Sequence, residues 1–204
     1  MFIVCEGPGG SGKSTQAKLL TDKLRGFGKR VILTREPGGT ELGEQLRRLL
    51  LDLHAEPVTP VAEALLYSAA RAEHVAHLIR PALEAGEIVI CDRFADSTLA
   101  YQGGGRGLDL SQLQAVQLFA TCGLEPDLKL LLDLPVAVGL ARRHADHESV
   151  NRLDAESLAF HERVRAAYLA LAAANQDDWR VIDATESPDQ VAANIWSAVR
   201  ERVA

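Results

Sequence analysis

Short apolar runs alternate along the chain with longer stretches in which apolar positions recur at helical spacing. The apolar runs cover 2–6, 30–34, 87–91, 128–134 and 179–183. They are rich in Val, Ile and Leu and nearly unbroken, the pattern of strands buried on both faces. Helical stretches lie between them, at about 13–26, 40–53, 59–85, 94–103, 111–122, 135–145, 154–174 and 188–203. Thr59-Pro60 and Ser187-Pro188 each set a capping residue before a proline at the first helical position. Gly26 and Gly86 stand where helices must stop before the second and third strands. This alternation predicts a three-layer α/β/α fold around a five-stranded parallel sheet. Such sheets bind ligands at the carboxyl ends of their strands. The positions to read for chemistry are therefore Gly7 onward, Arg35 onward, Asp92 onward, the segment 135–152 and Ala184 onward.

Composition narrows the class. A chain of 204 residues, 47% hydrophobic and 25% charged, predicts one globular domain spanning 1–204. The formal net charge of -6 gives no support for a nucleic-acid partner, which calls for a basic excess or stripe. Cys5, Cys91 and Cys122 are not in CxxC spacing, and two of them sit in apolar runs. That argues against a disulfide framework or zinc site and for a reducing compartment. The chain enters a strand at once, with no leader-like segment, and carries no run of about 20 apolar residues. A cytoplasmic protein with no membrane partner is expected.

The first strand runs into "GPGGSGKST": Gly7, Pro8, Gly9, Gly10, Ser11, Gly12, Lys13, Ser14 and Thr15. Gly-x4-Gly-Lys-Ser between a strand and a helix is the phosphate-loop pattern. Glycines let backbone N–H groups turn inward around phosphate oxygens, and the following helix aims its positive end at the same anion. Lys13 can reach the terminal phosphates of ATP, and the Ser14 hydroxyl can hold Mg²⁺. A guanine-reading Asn-Lys-x-Asp is absent, since "NQDDW" at Asn175 precedes a strand rather than following one. Motors and transporters need a longer chain, so a small kinase fits the length best.

The third strand ends in "DRFADSTLAYQGGGRG", residues 92–107. Asp92 leaves the strand first and can hold Mg²⁺, partly through water, if this strand lies beside the first. Arg93 follows and offers a guanidinium fork to a second phosphate. A strand-end ion pair or helix cap is the alternative for both. Tyr67 and Arg71 fall four apart on one helix face, where ring and guanidinium can hold a planar base. In isolation such a pair is more often a half-buried ring with a snorkelling arginine. The polar stretch "RRHADHESVNR", 142–152, interrupts two helices and contains Arg142, Arg143 and Arg152. It reads as a mobile lid that closes over the transferring phosphoryl group, or else as a solvated connection. The "HADHE" histidines, like His74 and His77, read as solvated or structural rather than metal ligands.

Five stretches together resemble bacterial thymidylate kinases, nucleoside monophosphate kinases with the P-loop nucleoside triphosphate hydrolase fold. They are "FIVCEGPGGSGKST", "TREPGGT", "YSAARAEH", "DRFADSTLAYQGGGRG" and "VIDATESPDQV", which span nearly the whole chain. The resemblance implies transfer of the γ-phosphate of ATP to dTMP, with Mg²⁺, in a homodimer built through helices such as 59–85 and 111–122. Arg93 would clamp the acceptor phosphate, Tyr67 stack on thymine and Arg71 hydrogen-bond it. Thr98 and Gln102 match positions that read the base edge, and Tyr101 the ring against the sugar. Arg35, Glu36 and Pro37 match the loop beside the acceptor. No basic residue occupies positions 8–11 of the phosphate loop, so the chain is similar to family members that supply the arginine from the lid. Arg152 is the first choice for that role and Arg143 the second. Adenine is expected near 183–185, held by backbone groups. One departure stands out: the family commonly has an acid, near the acceptor 3′-hydroxyl, where this chain has Gly9. Water, Glu6 or Glu36 would have to substitute, or that hydroxyl is read more weakly. A kinase for another small acceptor, or a slowly hydrolysing regulatory protein, are the alternative readings.

Overall fold

A computed structural model describes residues 1–53, 58–145 and 150–203. Its sheet has the order β2 (Val31–Arg35), β3 (Ile88–Asp92), β1 (Phe2–Glu6), β4 (Leu128–Asp133), β5 (Trp179–Asp183), with every neighbouring pair parallel. The five predicted strands are all present, with ends shifted by a residue or so. Only β1, in the middle, is buried throughout; the edge strands β2 and β5 each bury two of their five positions. Pairing sets Cys5 against Asp92, so the loop after β1 and the Asp92-Arg93 pair after β3 emerge side by side.

Helix α1 (Lys13–Gly26) runs straight out of the phosphate loop. It buries Ala17, Leu20 and Leu24 on one sheet face against Ile3, Cys5, Ile90 and Leu130. Val191 and Ile195 of α9 (Pro188–Val199) fill the same layer. The opposite face packs Phe2, Val4, Val89 and Cys91 against Val75 and Ile79. There Phe94 meets Phe2 edge to face at 5.0 Å. The remaining helices are α2 (Glu41–Leu51), α3 (Pro60–His74), α4 (Arg80–Glu84), α5 (Ala95–Thr98), α6 (Leu110–Ala120), α7 (Val136–Ala145) and α8 (Leu158–Ala174).

Two predicted helices are not regular. The stretch 59–85 is α3 and α4 joined by a π-helical turn, Val75–Ile79, in which Arg80 N–H bonds Val75 O. The wider turn lies directly before Pro81, whose ring would clash with a carbonyl of a tight helix and which has no N–H to donate. The stretch 94–103 is α5 followed by a second π-helical segment, Leu99–Gly105. Its end is glycine because α8 lies on it: a Cβ at Gly104 would stand 3.1 Å from Arg163 O and nearer still to Ala167. Among the described residues no helix is long and apolar enough to cross a membrane.

Candidate active site

The phosphate loop is shaped by backbone. Gly10 has φ 74° and lies against the backbone of Gly139 in α7, where any Cβ would collide. Gly12 precedes α1 with φ 85°, offers no side-chain cap, and α1 has no acid in its first turn. The first N–H groups of the helix and its positive end are thus left for an anionic ligand. Lys13 is buried and bends back to Pro8 O at 2.8 Å and Ser11 Oγ at 3.2 Å. Burial, together with the nearby charge of Arg93, pushes its ammonium down to about 7. A group so placed gains most from an incoming phosphate, which restores the charged form.

Ser14 Oγ donates to Asp92 Oδ2. Asp92 Oδ1 is buried and, among the described residues, has no hydrogen-bond partner. A hydroxyl and an orphaned carboxylate oxygen beside a phosphate cradle fit a hard divalent cation.

Arg93 adopts φ 74°, the left-handed region, which a residue with a side chain enters at a cost of about 1–3 kcal/mol. Its backbone N–H bonds Cys5 O at 2.9 Å. The turned backbone sends the guanidinium back across the loop, where Nη1 donates to Gly7 O at 3.0 Å, Ser97 Oγ at 3.2 Å and Tyr168 Oη at 3.1 Å. The ring of Tyr101 lies 5.1 Å from its centre.

Beyond Arg93 the cleft deepens. Arg71 is 2% exposed. Its Nε donates to Glu36 Oε2 at 2.7 Å, Nη1 to Thr98 Oγ1 at 3.0 Å and to Gln117 Oε1, and Nη2 to Phe94 O at 2.9 Å. Glu36 is held from its other side by His74 Nδ1 at 3.0 Å, and the far nitrogen of that ring meets Thr34 Oγ1 at 2.7 Å. Tyr67, one turn before Arg71, lines the cleft as well, and burial pushes its phenol up. Gln102 Nε2 donates to Glu63 Oε1 at 2.8 Å. Burial alone would raise the Glu63 carboxyl, but hydrogen bonds from Arg106, Gln102 and Arg152 outweigh it and hold the group below its usual range.

Most of the residues singled out by sequence meet in this one cleft of about 410 Å³: the phosphate loop, Arg35, Glu36, Pro37, Tyr67, Arg71, Asp92, Arg93, Thr98, Tyr101, Gln102, Arg142 and Arg143. Gly7, Pro8 and Ser11 shape the loop without lining the cleft. Arg35, more than half exposed, pairs with Glu44 at 3.4 Å. The arginines of the polar insertion diverge. Arg142, in the last turn of α7, donates to Ala184 O at 3.0 Å, beside the end of β5. Arg143 lines the cleft next to Gly9 and bonds Asp154 Oδ2 at 2.7 Å. Arg152 faces elsewhere, donating to Glu63 Oε2 at 2.5 Å and to Leu50 O at 3.1 Å. Residues 146–149, with much of the "HADHE" stretch, lie outside the described residues. His77 is exposed beside Glu73, whereas His74 is fully buried. Neither Glu6 nor Glu36 is turned toward Gly9, since both are committed to other partners. The carboxylate that does stand there is Asp154, with Oδ1 3.2 Å from where a Cβ at Gly9 would be.

Comparison with known proteins decides what this cleft belongs to. The family model described as thymidylate kinase matches residues 5–195. A thymidylate kinase of Thermomicrobium roseum is 56% identical over 200 residues, covering 98% of this chain and 94% of that one. One of a Synechococcus strain is 54% identical, covering 100% and 96%. The chain belongs to the thymidylate kinase family. The crystal structure of thymidylate kinase from Ehrlichia chaffeensis, 34% identical, superposes with a TM-score of 0.80 over 98% of each chain. The expected P-loop nucleoside triphosphate hydrolase-like fold is thereby established. Thymidylate kinase motifs located the loop, Arg93 and the Tyr67-Arg71 pair, but not every residue at the site. Arg47 lines the cleft and holds Pro37 O at 2.9 Å. Ser97, Asn151 and Asp154 also line it, and Tyr168 reaches Arg93 from α8. Ser97 and Asn151 lie within quoted stretches, yet nothing in the sequence marked either out; Arg47, Asp154 and Tyr168 lie on elements whose approach the sequence does not reveal.

Proposed function

We propose that this protein transfers the γ-phosphoryl group of ATP to dTMP, giving dTDP and ADP, as a single kinase domain with a lid at about 142–152. One observation carries the reading: a single cleft joins a phosphate loop to a second anion-holding arginine and then to a buried, base-sized pocket. The loop N–H groups and Lys13 hold the donor phosphates, while the backbone at 183–185 and Arg142 flank the adenine. Ser14 and Asp92 would hold Mg²⁺, which when bound neutralises charge on the phosphates. Arg93 clamps the acceptor phosphate, whose oxygen is ionised near neutral pH, so no general base is needed and positioning does most of the work. Arg143 stands nearer the phosphate loop than Arg152 does, so it ranks first as the lid arginine. Asp154 takes the place beside the acceptor sugar that the missing acid at position 9 leaves open.

Selectivity for the base follows from hydrogen-bond accounting. Four of the five N–H groups of Arg71 are engaged among the described residues, leaving one donor for the cleft. Ionised Glu63 can only accept, so it draws the Gln102 amide nitrogen toward itself and leaves the carbonyl as an acceptor. One donor beside one acceptor complements the O4 and N3–H edge of thymine and mismatches cytosine. Tyr67 covers the ring face. An acceptor panel with ATP and Mg²⁺ tests the reading: dTMP should be turned over best, and equal turnover of dTMP, CMP and AMP would defeat it. A homodimer is supported by the apolar exposure of Leu118 and Phe119 on α6 and of Val61 and Leu65 on α3. The free thiols Cys5, Cys91 and Cys122 support a cytoplasmic setting.

A further inference from the structure

Glu6 is the last residue of β1 and is fully buried, beneath the cleft rather than in it. An acid there, where no substrate reaches, calls for a reason. Its Oε1 accepts from the backbone N–H of Phe94 at 2.8 Å. Its Oε2 accepts from Ser97 Oγ at 2.7 Å and from Tyr168 Oη at 2.9 Å. These are the same two hydroxyls that accept from Arg93 Nη1. A hydroxyl has one hydrogen. A carboxylate, which can only accept, draws both hydrogens to itself against the alternative bond between the two hydroxyls, which lie 2.8 Å apart, and leaves both oxygens turned toward the guanidinium. The same carboxylate holds the peptide that follows Arg93, and that residue is the one in the left-handed region. Backbone turn and side chain are thus tied to one buried group through three donors.

We infer that Glu6 is a positioning residue for Arg93: it holds the strained turn and, through Ser97 and Tyr168, aims the guanidinium at the acceptor phosphate. The inference rests on the reading of Arg93 as the phosphate clamp. Glu6 does not line the cleft and reaches Arg93 through this relay. Burial, with the negative charge of Asp96 added, pushes its carboxyl up to about 7, so the acceptor-only form that sets the relay is the one present above that pH.

Glu6→Gln is the decisive substitution. The amide oxygen still accepts from Phe94, so the turn survives. The NH₂ end must donate, so neither hydroxyl can give it a hydrogen; one can turn to the other hydroxyl, 2.8 Å away, and the second hydrogen is left to turn toward Arg93. The folded variant, checked by circular dichroism, should show a KM for dTMP raised about tenfold or more and a lowered kcat, with the KM for ATP changed far less. In a Ser97→Ala/Tyr168→Phe background the relay is already gone, and adding Glu6→Gln should change the KM for dTMP less than twofold. Glu6→Asp, which keeps the charge but shortens the reach, should fall between Glu6→Gln and the parent. A folded Glu6→Gln enzyme with normal dTMP kinetics, beside an impaired Arg93→Met enzyme, would overturn the inference alone. So would a full Glu6→Gln effect persisting in the relay-free background. Normal dTMP kinetics in Arg93→Met would sink the clamp reading itself and the inference with it.

Discussion

The two ends of the cleft are built in opposite ways. The end proposed to hold the donor is one contiguous segment, Gly7 to Thr15, shaped by backbone and offering N–H groups, one lysine and one hydroxyl. The end proposed for the acceptor is assembled from the turn after β2, α3, α5, the π-helical segment after it and α6, and its side chains hold one another without a ligand. Arg71 illustrates the difference, with partners at positions 36, 94, 98 and 117. A phosphate is recognised by charge and by many equivalent donors, so a flexible-sequence loop suffices. A planar base is recognised by one donor and one acceptor in fixed places, so those groups must be immobilised by neighbours.

If that contrast is right, substitutions should separate along it. The largest effect belongs where the two ends meet. Arg93→Ala should lower kcat/KM for dTMP about 10³-fold or more, whereas His77→Ala, on the exposed face, should stay within about twofold. Steady-state kinetics on both would break the scheme if the two losses were alike. Next comes the lid. Arg143→Ala should lower kcat about 10²-fold or more, and Arg152→Ala, whose guanidinium lies on Glu63, should act less on kcat and more on the KM for dTMP. The reverse order would restore Arg152 to the first place that sequence reading gave it. Gln102→Leu removes an acceptor without touching the loop. It should reduce the preference for dTMP over dCMP by about 10–100-fold and leave the KM for ATP unchanged, measured by acceptor competition. The smallest effect is on stability. An ordinary carboxyl titrates near 4.5, and Glu6 in the fold near 7, so between these values the folded state holds the extra proton. Stability from this group is present below about 4.5 and is lost as pH rises through about 7. Glu6→Gln has no proton to lose. Its Tm should therefore gain on that of the parent by a few degrees between pH 5 and pH 8, and a constant difference would refute the assignment.

Some parts of this picture were readable from the residues. The loop was legible because its chemistry is contiguous, and the strand order mattered only for what stands beside it. Arg93 was legible through its place at a strand end. Asp154, Arg47 and Tyr168 were not, since nothing local distinguishes an Asp in a turn or a Tyr on α8 from any other. The helices at 59–85 and 94–103 carried the right periodicity, but a π-helical turn adds one residue to a helix without changing which residues are apolar.

The sequence by itself determined the alternation of strands and helices, the glycine-shaped phosphate loop and the residue types available to a second phosphate and a base. These follow from short-range rules: backbone freedom, periodicity and the pairing of charge types with ligands. Tertiary structure alone decided that Arg143 lies beside Gly9, which carboxylate stands there with it, and that Glu6 lies under Arg93 through hydroxyls 91 and 162 residues away in sequence. Those outcomes depend on how elements pack across the sheet. A buried hydrogen-bond network is satisfied only when every partner is in place, and no single segment carries that information.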